Sequence, residues 1–398
     1  MRRHTPVTRI SDTVRMETVF WLALTLCAAL CLIHIVTLAV AAVRCRPRHA
    51  VPKLPYAAAV TLLRPVCGLD NYSWHTLRSS FALDYARYDI LFCVASARDP
   101  VVPLVEQLIA EHPGVRARLL IGDERISQNP KLNNLCKGWE AATGEWIIIA
   151  DSNVLMPEDY IQRLLGAWRP DTGVVCSPPI GCLPSGLWAE LECAFLNTYQ
   201  ARWQYFADSM GLGFAQGKSM LWRRENLDRA GGLRALGTEL AEDAASTQVV
   251  RDAGLRVRLV DGPFGQPLGR RSIGDVLKRQ LRWARLRRDS FKQWYAAEIL
   301  STGIFPMLLG GVAAAALGAS PVLGAAGVGT LWYGGEAALA YAARWPLSLQ
   351  SPLAWLLRDL LLIPLWTAGW FGSGIVWRGN QMDLAEDVLL KAETHHHL

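Results

Sequence analysis

Charged residues are scarce in this chain, and the cysteine and glycine patterns of several common protein classes are missing. Only 19% of the 398 residues are Asp, Glu, Lys or Arg, whereas 51% are hydrophobic. None of the nine cysteines forms a Cys-x-x-Cys pair, and Cys27 and Cys31 lie in an apolar stretch, so neither a zinc site nor a disulfide framework is indicated. Gly211, Gly213 and Gly217 lack a preceding strand and the dinucleotide spacing, which argues against a Rossmann dinucleotide site and favours a flexible active-site loop.

The first long apolar stretch is residues 18–43, which hold no Asp, Glu, Lys or Arg and a single histidine, His34. At about 1.5 Å per residue, a helix of this length crosses a hydrocarbon core of roughly 30 Å. A cleavable signal peptide is the alternative, but the stretch is too long and lacks a clear small-residue cleavage site. We therefore predict a membrane span here.

Three further apolar stretches, at residues 299–319, 321–343 and 352–376, predict three C-terminal spans. Glu336 lies within the second of them, and Arg358 lies within the third. Because a charge in lipid is costly, we expect Glu336 and Arg358 to form a structural ion pair.

Basic residues indicate the orientation of the region between the first span and the last three. Arg44, Arg46, Arg48 and Lys53 follow the first span, and residues 270–292 are rich in arginine, so this region should face the cytoplasm. The net charge of +6 is interpreted as attraction to a membrane surface rather than to nucleic acid. The terminal residues 395–397, all histidine, support no functional prediction.

Between residues 55 and 260, short apolar runs alternate with longer mixed segments, which is typical of an α/β domain with a mostly parallel sheet. The predicted helices are residues 104–112 and 133–142. The predicted strands are residues 57–63, 90–95, 117–121, 146–150, 174–177 and 257–260. Ligands of such sheets bind beyond the carboxyl ends of the strands.

Two later helices are predicted near the membrane. Aromatic and leucine side chains recur every three or four residues across residues 187–210, which indicates one helix face that either packs in a core or lies in the membrane interface. Ser272 followed by Asp275 resembles a capping box that begins a helix reaching about residue 288.

Asp151 and Asp243 are the candidates for the central chemistry. Asp151 follows a buried strand, where a carboxylate can hold Mg²⁺ or Mn²⁺ together with a diphosphate and waters. Asp243 is the candidate for a base that removes the proton of an acceptor hydroxyl, and its neighbour Glu242 competes for that role. Taken singly, each of these residues is more often a helix cap or a solvated acidic helix start.

The other candidates surround a nucleotide in the predicted site. Asp99 offers acceptor oxygens to a nucleoside, although it also fits a plain turn before a proline. Lys131 lies in the loop that precedes the helix predicted from residue 133, a suitable position for a phosphate or base contact. Arg279, Arg282 and Trp283 supply two guanidinium groups for phosphates and an aromatic plane for a sugar or lipid, unless they only form a basic helix beside the membrane.

In this order, the signatures Asp99, Asp151-Ser152, Glu242-Asp243 and Arg279-x-x-Arg282-Trp283 resemble those of the ceramide glucosyltransferase family, the lipid-glycosylating relatives of family 2 glycosyltransferases. The resemblance covers roughly residues 55–291. It extends to Leu62-Leu63-Arg64-Pro65, Gly68-Leu69-Asp70, Arg118-Leu119-Leu120-Ile121-Gly122, Asn129-Pro130-Lys131-Leu132-Asn133-Asn134 and Ala230-Gly231-Gly232-Leu233.

The resemblance implies a GT-A fold, an inverting mechanism and a UDP-sugar donor. By matched motif, Asp99 would contact the nucleoside, Asp151 the metal, and Asp243 would be the base. Arg279, Arg282 and Trp283 would line the diphosphate and acceptor side. An arginine, not glutamine, begins this last motif, and four spans are too few for a secretion channel, so single transfer to a lipid is favoured over polysaccharide synthesis.

We therefore expect an α/β enzyme of GT-A type with one N-terminal and about three C-terminal transmembrane helices. A bacterial inner membrane with the catalytic domain in the cytoplasm is the expected location. The expected reaction moves glucose from UDP-glucose to ceramide; the alternatives are transfer of N-acetylglucosamine to a hopanoid, or a catalytically silent membrane binding protein. The predicted segments are residues 1–17 (tail), 18–43 (span), 44–298 (catalytic domain with interfacial helices near 187–210 and 272–296), 299–377 (spans) and 378–398 (tail).

Overall fold

A mixed sheet of seven strands organises the region that the sequence predicts to be the catalytic domain. The computed structural model describes residues 6–47, 57–377 and 380–383; Arg48, Lys53 and the histidines at 395–397 lie outside them. The strands are β1 (Val60–Pro65), β2 (Tyr88–Val94), β3 (Ala117–Ile121), β4 (Trp146–Ala150), β5 (Thr172–Cys176), β6 (Ile180–Ser185), β7 (Ser219–Arg223), β8 (Arg256–Leu259), β9 (Gly265–Arg270), β10 (Gly374–Trp377) and β11 (Asn380–Asp383). The large sheet has the order β3-β2-β1-β4-β7-β5-β8, while β6 pairs with β9 and β10 with β11.

The large sheet is mostly parallel, as predicted. Only β7 runs against its neighbours β4 and β5. All six predicted strands are present within three residues of their predicted ends. The strands that the pattern missed are β6, β7, β9, β10 and β11. Strands β6 and β9 contain glycine and proline, and β7 is a buried run without alternation. Strands β10 and β11 lie at the end of the predicted fourth span and in the predicted tail.

Helices cover both faces of this sheet, which is why its strands are apolar throughout. In β4, Ile147 and Ile149 pack in one cluster with Leu132, whereas Ile148 packs in the opposite cluster with Val105. This alternation follows from the two-residue period of a strand.

The helices are α1 (Pro6–Cys45), α2 (Ser73–Arg78), α3 (Val102–Glu111), α4 (Pro130–Ala141), α5 (Tyr160–Gly166), α6 (Leu187–Ala194), α7 (Arg202–Ser209), α8 (Arg224–Arg229), α9 (Glu242–Asp252), α10 (Ile273–Ser290), α11 (Lys292–Glu298), α12 (Ile304–Ala316), α13 (Pro321–Ala342) and α14 (Ser351–Gly369).

The aromatic helix predicted over residues 187–210 is present but is divided into three segments. A π-helical segment, Phe195–Ala201, separates α6 from α7. Phe195 and Tyr199 are buried with Val276 of α10 and Leu362 of α14. The aromatic stripe therefore packs against neighbouring helices, so core packing accounts for most of the pattern that also suggested a membrane interface.

Within the described residues, one helix segment, Met16–Cys45, is by itself long and apolar enough to cross a membrane. Lys292–Ser301 and Ile304–Ala316 would form a second candidate if the two pieces, bent by 47°, act as one span. The predicted third and fourth spans form α13 and α14, but these helices do not meet the same length and composition test. The predicted fourth span also runs past its helix, because the chain turns after Gly369 and Gly372 adopts a left-handed conformation with φ 78°.

Ion pairs join the helices to the catalytic domain. At the end of α1, Arg44 pairs with Asp208 at 2.9 Å and with Asp261, and its carbonyl accepts from the backbone N–H of Gly262 at 2.7 Å. Glu336 and Arg358, both buried, form the bidentate pair that the sequence predicted, with N–O distances of 2.8 and 2.9 Å.

Candidate active site

Lys131 stands at the centre of a charged cluster beside the sheet. It follows the N-cap of α4, where the side chain of Asn129 accepts from the backbone N–H of Lys131. Its Nζ lies 2.7 Å from Asp151 Oδ1, 2.6 Å from Glu242 Oε1 and 2.8 Å from the carbonyl oxygen of Gly217. Three segments far apart in sequence therefore meet at one ammonium group.

Asp151 directly follows β4, as predicted, and carries two ion pairs. Its second oxygen, Oδ2, accepts from Lys218 Nζ at 2.8 Å, and Lys218 also donates to Asn153 Oδ1 at 3.1 Å. Burial alone would raise the pKa of Asp151, but Lys131 and Lys218 outweigh it and hold this pKa well below its ordinary value. Asp151 is therefore a stable anion at neutral pH.

Asp243 has the opposite environment, although it belongs to the same cluster. Burial and the neighbouring charge of Glu242 raise the pKa of Asp243 to about 6. Both oxygens of Glu242 are engaged, one by Lys131 and the other by Asn129 Nδ2 at 2.9 Å. Of the two adjacent carboxylates, Asp243 thus has the properties of a proton acceptor and Glu242 those of a structural anion.

The loop that holds Gly217 leaves no room for a side chain at this position. A Cβ atom on Gly217 would meet Glu242 Oε1 at 2.6 Å and Lys131 Nζ at 3.4 Å. The glycine-rich loop predicted from the sequence therefore does reach the site, and glycine is needed there for close approach.

A divalent cation would find one protein carboxylate here. No group of three or more His, Cys, Asp or Glu side chains that could hold a metal ion occurs in the described part of the chain. Mg²⁺ commonly takes only one or two carboxylates and completes its shell with substrate phosphates and waters. Asp151 fits that mode if a bound diphosphate supplies the remaining ligands and draws an ammonium group away from the carboxylate.

Asp99 lies in the loop after β2 and stabilises the backbone around it. Its oxygens accept from the N–H of Gly68 at 2.9 and 3.0 Å and from the N–H of Val101 at 2.9 Å. Gly68 lines a cleft with an empty volume of about 250 Å³, whose lining also includes Asp70, Ser152 and Asn153. The carboxylate of Asp99 therefore holds the backbone of Gly68, which lines this cleft.

Arg279, Arg282 and Trp283 lie on α10, which begins at the predicted capping box of Ser272 and Asp275. Arg279 pairs with Glu192, a fully buried residue of α6. Trp283 packs against an apolar cluster that includes Leu196 and Leu268.

Four charged residues that the sequence patterns did not single out lie beside these candidates: Asp70, Glu192, Lys218 and Arg271. Asp70 receives two hydrogen bonds from Arg271, at 3.0 and 3.2 Å. Arg271 Nε lies 3.6 Å from Glu192, so a chain of charges links the cleft wall to Arg279. Lys218 is the fourth; its position directly after Gly217 was one available signal, and Glu192, one of two acids in the otherwise apolar helix α6, was another.

The fold is that of the GT-A-like glycosyltransferases. The solved structure of the mannosyltransferase PcManGT from Pyrobaculum calidifontis, in complex with GDP-Man and Mn²⁺, superposes with a TM-score of 0.51 at 19% identity. The match covers 87% of this chain and 98% of that one. At this identity the similarity concerns the fold.

The chain belongs to Glycosyl transferase family 21, whose pattern matches residues 26–389. It is 28% identical over 258 residues to ceramide glucosyltransferase 3 of Caenorhabditis elegans, covering 64% of this chain and 56% of that protein. It is 31% identical over 229 residues to the ceramide glucosyltransferase of Komagataella phaffii (strain GS115 / ATCC 20864), covering 52% and 45%. The predicted family resemblance is confirmed, and the chain spans about half the length of these curated relatives.

Proposed function

We propose that this protein is an inverting glycosyltransferase that moves glucose from UDP-glucose to ceramide at a membrane surface. The observation that carries the proposal is the contrast between Asp151, a permanent anion held by two lysines, and Asp243, a carboxylate whose pKa is raised to about 6. One cluster thus contains a donor-side anion and a base suited to neutral pH. The family and its ceramide glucosyltransferase members support the choice of donor and acceptor.

In the proposed reaction, Asp243 removes the proton of an acceptor hydroxyl. The hydroxyl oxygen attacks the anomeric carbon from the face opposite to the diphosphate, and the bond from that carbon to the diphosphate oxygen breaks. The electron pair leaves with UDP, so negative charge grows on the diphosphate. Lys131, Arg279 and Arg282 would stabilise that charge, because cationic donors arranged beforehand lower the barrier most.

The family resemblance supports the remaining proposed roles. Asp99 would contact the nucleoside or hold the loop that does so, and Trp283 would line the acceptor side. Mg²⁺ or Mn²⁺, held by Asp151 and the donor diphosphate, would neutralise part of the leaving-group charge. The fold neighbour solved with Mn²⁺ is compatible with such a metal.

We further propose that the protein is integral to a bacterial inner membrane, with the catalytic domain in the cytoplasm. Helix α1 meets the requirements of a span, and the bent pair α11–α12 with α13 and α14 would complete the C-terminal membrane region. Exposed apolar side chains on α1, such as Trp21 and Leu32, would contact lipid. Cytoplasmic placement gives the site access to nucleotide sugars.

A reconstituted assay tests the proposed reaction. The purified full chain would be incubated with UDP-glucose or UDP-N-acetylglucosamine and with ceramide or a polyol hopanoid, and products would be identified by mass and by the anomeric configuration in NMR spectra. We expect a β-glucosyl ceramide, abolished in Asp243→Asn and retained in Asp252→Asn, which changes an Asp at the other end of α9. Glycosylhopanoid alone would refute the ceramide assignment. No product from any pair, with UDP binding intact, would indicate a binding protein.

A further inference from the structure

Glu192 is a buried carboxylate whose only described charge partners are arginines of the candidate site. It lies on α6, its side chain is 0% exposed, and neither oxygen receives a hydrogen bond of good geometry in the described residues. Its charge is balanced by Arg279 at Oε1 and by Arg271 at Oε2. Removing a carboxylate from water is strongly unfavourable unless opposite charges compensate it.

Arg271 connects this carboxylate to the cleft. Two of its guanidinium nitrogens donate to the two oxygens of Asp70, and the third, Nε, faces Glu192. Asp70 lines the same cleft as Ser152 and Asn153, which follow Asp151. The chain Asp70–Arg271–Glu192–Arg279 therefore runs from the cleft wall to the arginine that begins the α10 motif.

We propose that Glu192 is a positioning residue that fixes Arg279 toward the donor diphosphate, with Arg271 tying both to the cleft wall. This inference rests on the proposed function. A carboxylate engages one edge of a planar guanidinium and thereby sets the orientation of the whole group. An apolar residue would fill the same buried position at lower cost, so the charge is explained by the orientation that it imposes.

Nucleotide binding to the full chain tests this role without any acceptor. Titration would compare UDP and uridine on the wild type, Glu192→Gln and Glu192→Asp. We expect Glu192→Gln to weaken UDP binding about tenfold, the scale of one hydrogen bond to a charged group, and to leave uridine binding unchanged. Glu192→Asp, which keeps the charge, should recover part of the UDP affinity.

A matched control is available on the same helix. Glu190 is also largely buried, but its Oε2 accepts from Ser351 Oγ at 3.2 Å. Glu190→Gln should bind UDP and uridine as the wild type does. In the transferase assay, Glu192→Gln should lower kcat more than it changes the KM for acceptor, because the charge on the diphosphate grows in the transition state.

The outcomes separate this inference from the proposed function. Wild-type protein that binds no UDP refutes the proposed function itself. Wild-type binding with an unchanged UDP affinity in Glu192→Gln overturns the positioning role, and so does an equal loss for UDP and uridine, since that would indicate local unfolding. A selective loss for UDP that Glu192→Asp partly restores supports it.

Discussion

The ammonium group of Lys131 lies 2.7 Å from the carboxylate of Asp151 and 2.6 Å from that of Glu242, so one buried cation joins the strand end to the start of α9. Burial alone would lower the pKa of Lys131, but these two carboxylates hold it above its ordinary value. Lys131 therefore remains charged across the physiological pH range. These ion pairs balance most of the charge of the cluster, so the donor in the proposed reaction would have to displace some of them.

The first prediction concerns pH. Asp243 accepts a proton only when it is ionised, so kcat/KM should rise as the pH increases through about 6, the raised pKa of this group, and then level off. Glu242→Gln removes a negative neighbour, which should lower the pKa of Asp243 and move this midpoint to lower pH. Rate profiles between pH 4.5 and 8, as suitable buffers allow, would measure both effects. If the decrease of kcat/KM at low pH has the same midpoint in Glu242→Gln as in the wild type, this would argue against Asp243 as the base.

The second prediction concerns stability without ligand. Lys131→Met would leave two partly buried carboxylates without their shared cation and should lower the free energy of unfolding by about 3 kcal/mol. Lys218→Met removes one ion pair, from a more exposed lysine, and should cost less. Thermal denaturation of both variants in the same detergent would show which variant loses more stability. Equal losses, or the reverse order, would contradict a central role for Lys131.

The third prediction concerns the metal. Because Asp151 is one carboxylate and is already paired, Mn²⁺ should bind weakly to the protein alone and more tightly when UDP is present. Asp151→Asn should abolish the increase in Mn²⁺ affinity that UDP produces in the wild type. Electron paramagnetic resonance of free Mn²⁺ during titration would report the bound fraction. Mn²⁺ affinity that is the same with and without UDP would refute a shared site.

The fourth prediction concerns the buried pair between α13 and α14. Arg358→Leu would leave both Glu336 and Asp359 without their guanidinium partner, at a cost of about 3–5 kcal/mol. Arg234→Leu, which changes a side chain that is 71% exposed, should have little effect and serves as the control. Melting temperature and yield of folded protein would be compared. Unchanged folding in Arg358→Leu would show that the pair is dispensable.

Local patterns predicted the elements well, because strand and helix periods depend on neighbouring residues. The strand ending at Ala150 and the capping box at Ser272 were predicted in this way, whereas α4 begins three residues before the predicted start at residue 133. Gly217, Asp151 and Lys131 were also selected from their local positions. Which atoms of these residues would meet was not predictable.

Long-range charge partners were the main part that the sequence could not supply. Arg271 and Asp70 are separated by 201 positions, and Glu192 meets Arg279 only because α6 and α10 pack together. Local residue patterns do not show which residues that are far apart in sequence will be in contact. The pair between Glu336 and Arg358 could be predicted because an apolar environment leaves a charge few alternatives.

With α1 in a membrane, the junction at Arg44 would set how the proposed lipid acceptor reaches the site. Its ion pairs to Asp208 and Asp261, together with the backbone hydrogen bond from Gly262, join the end of α1 to the catalytic domain at several points. With α1 in the bilayer, a domain attached in this way would keep one height and one tilt above the lipid headgroups. The acceptor would then arrive by lateral diffusion to a stationary opening, and its rate of arrival would depend on membrane fluidity.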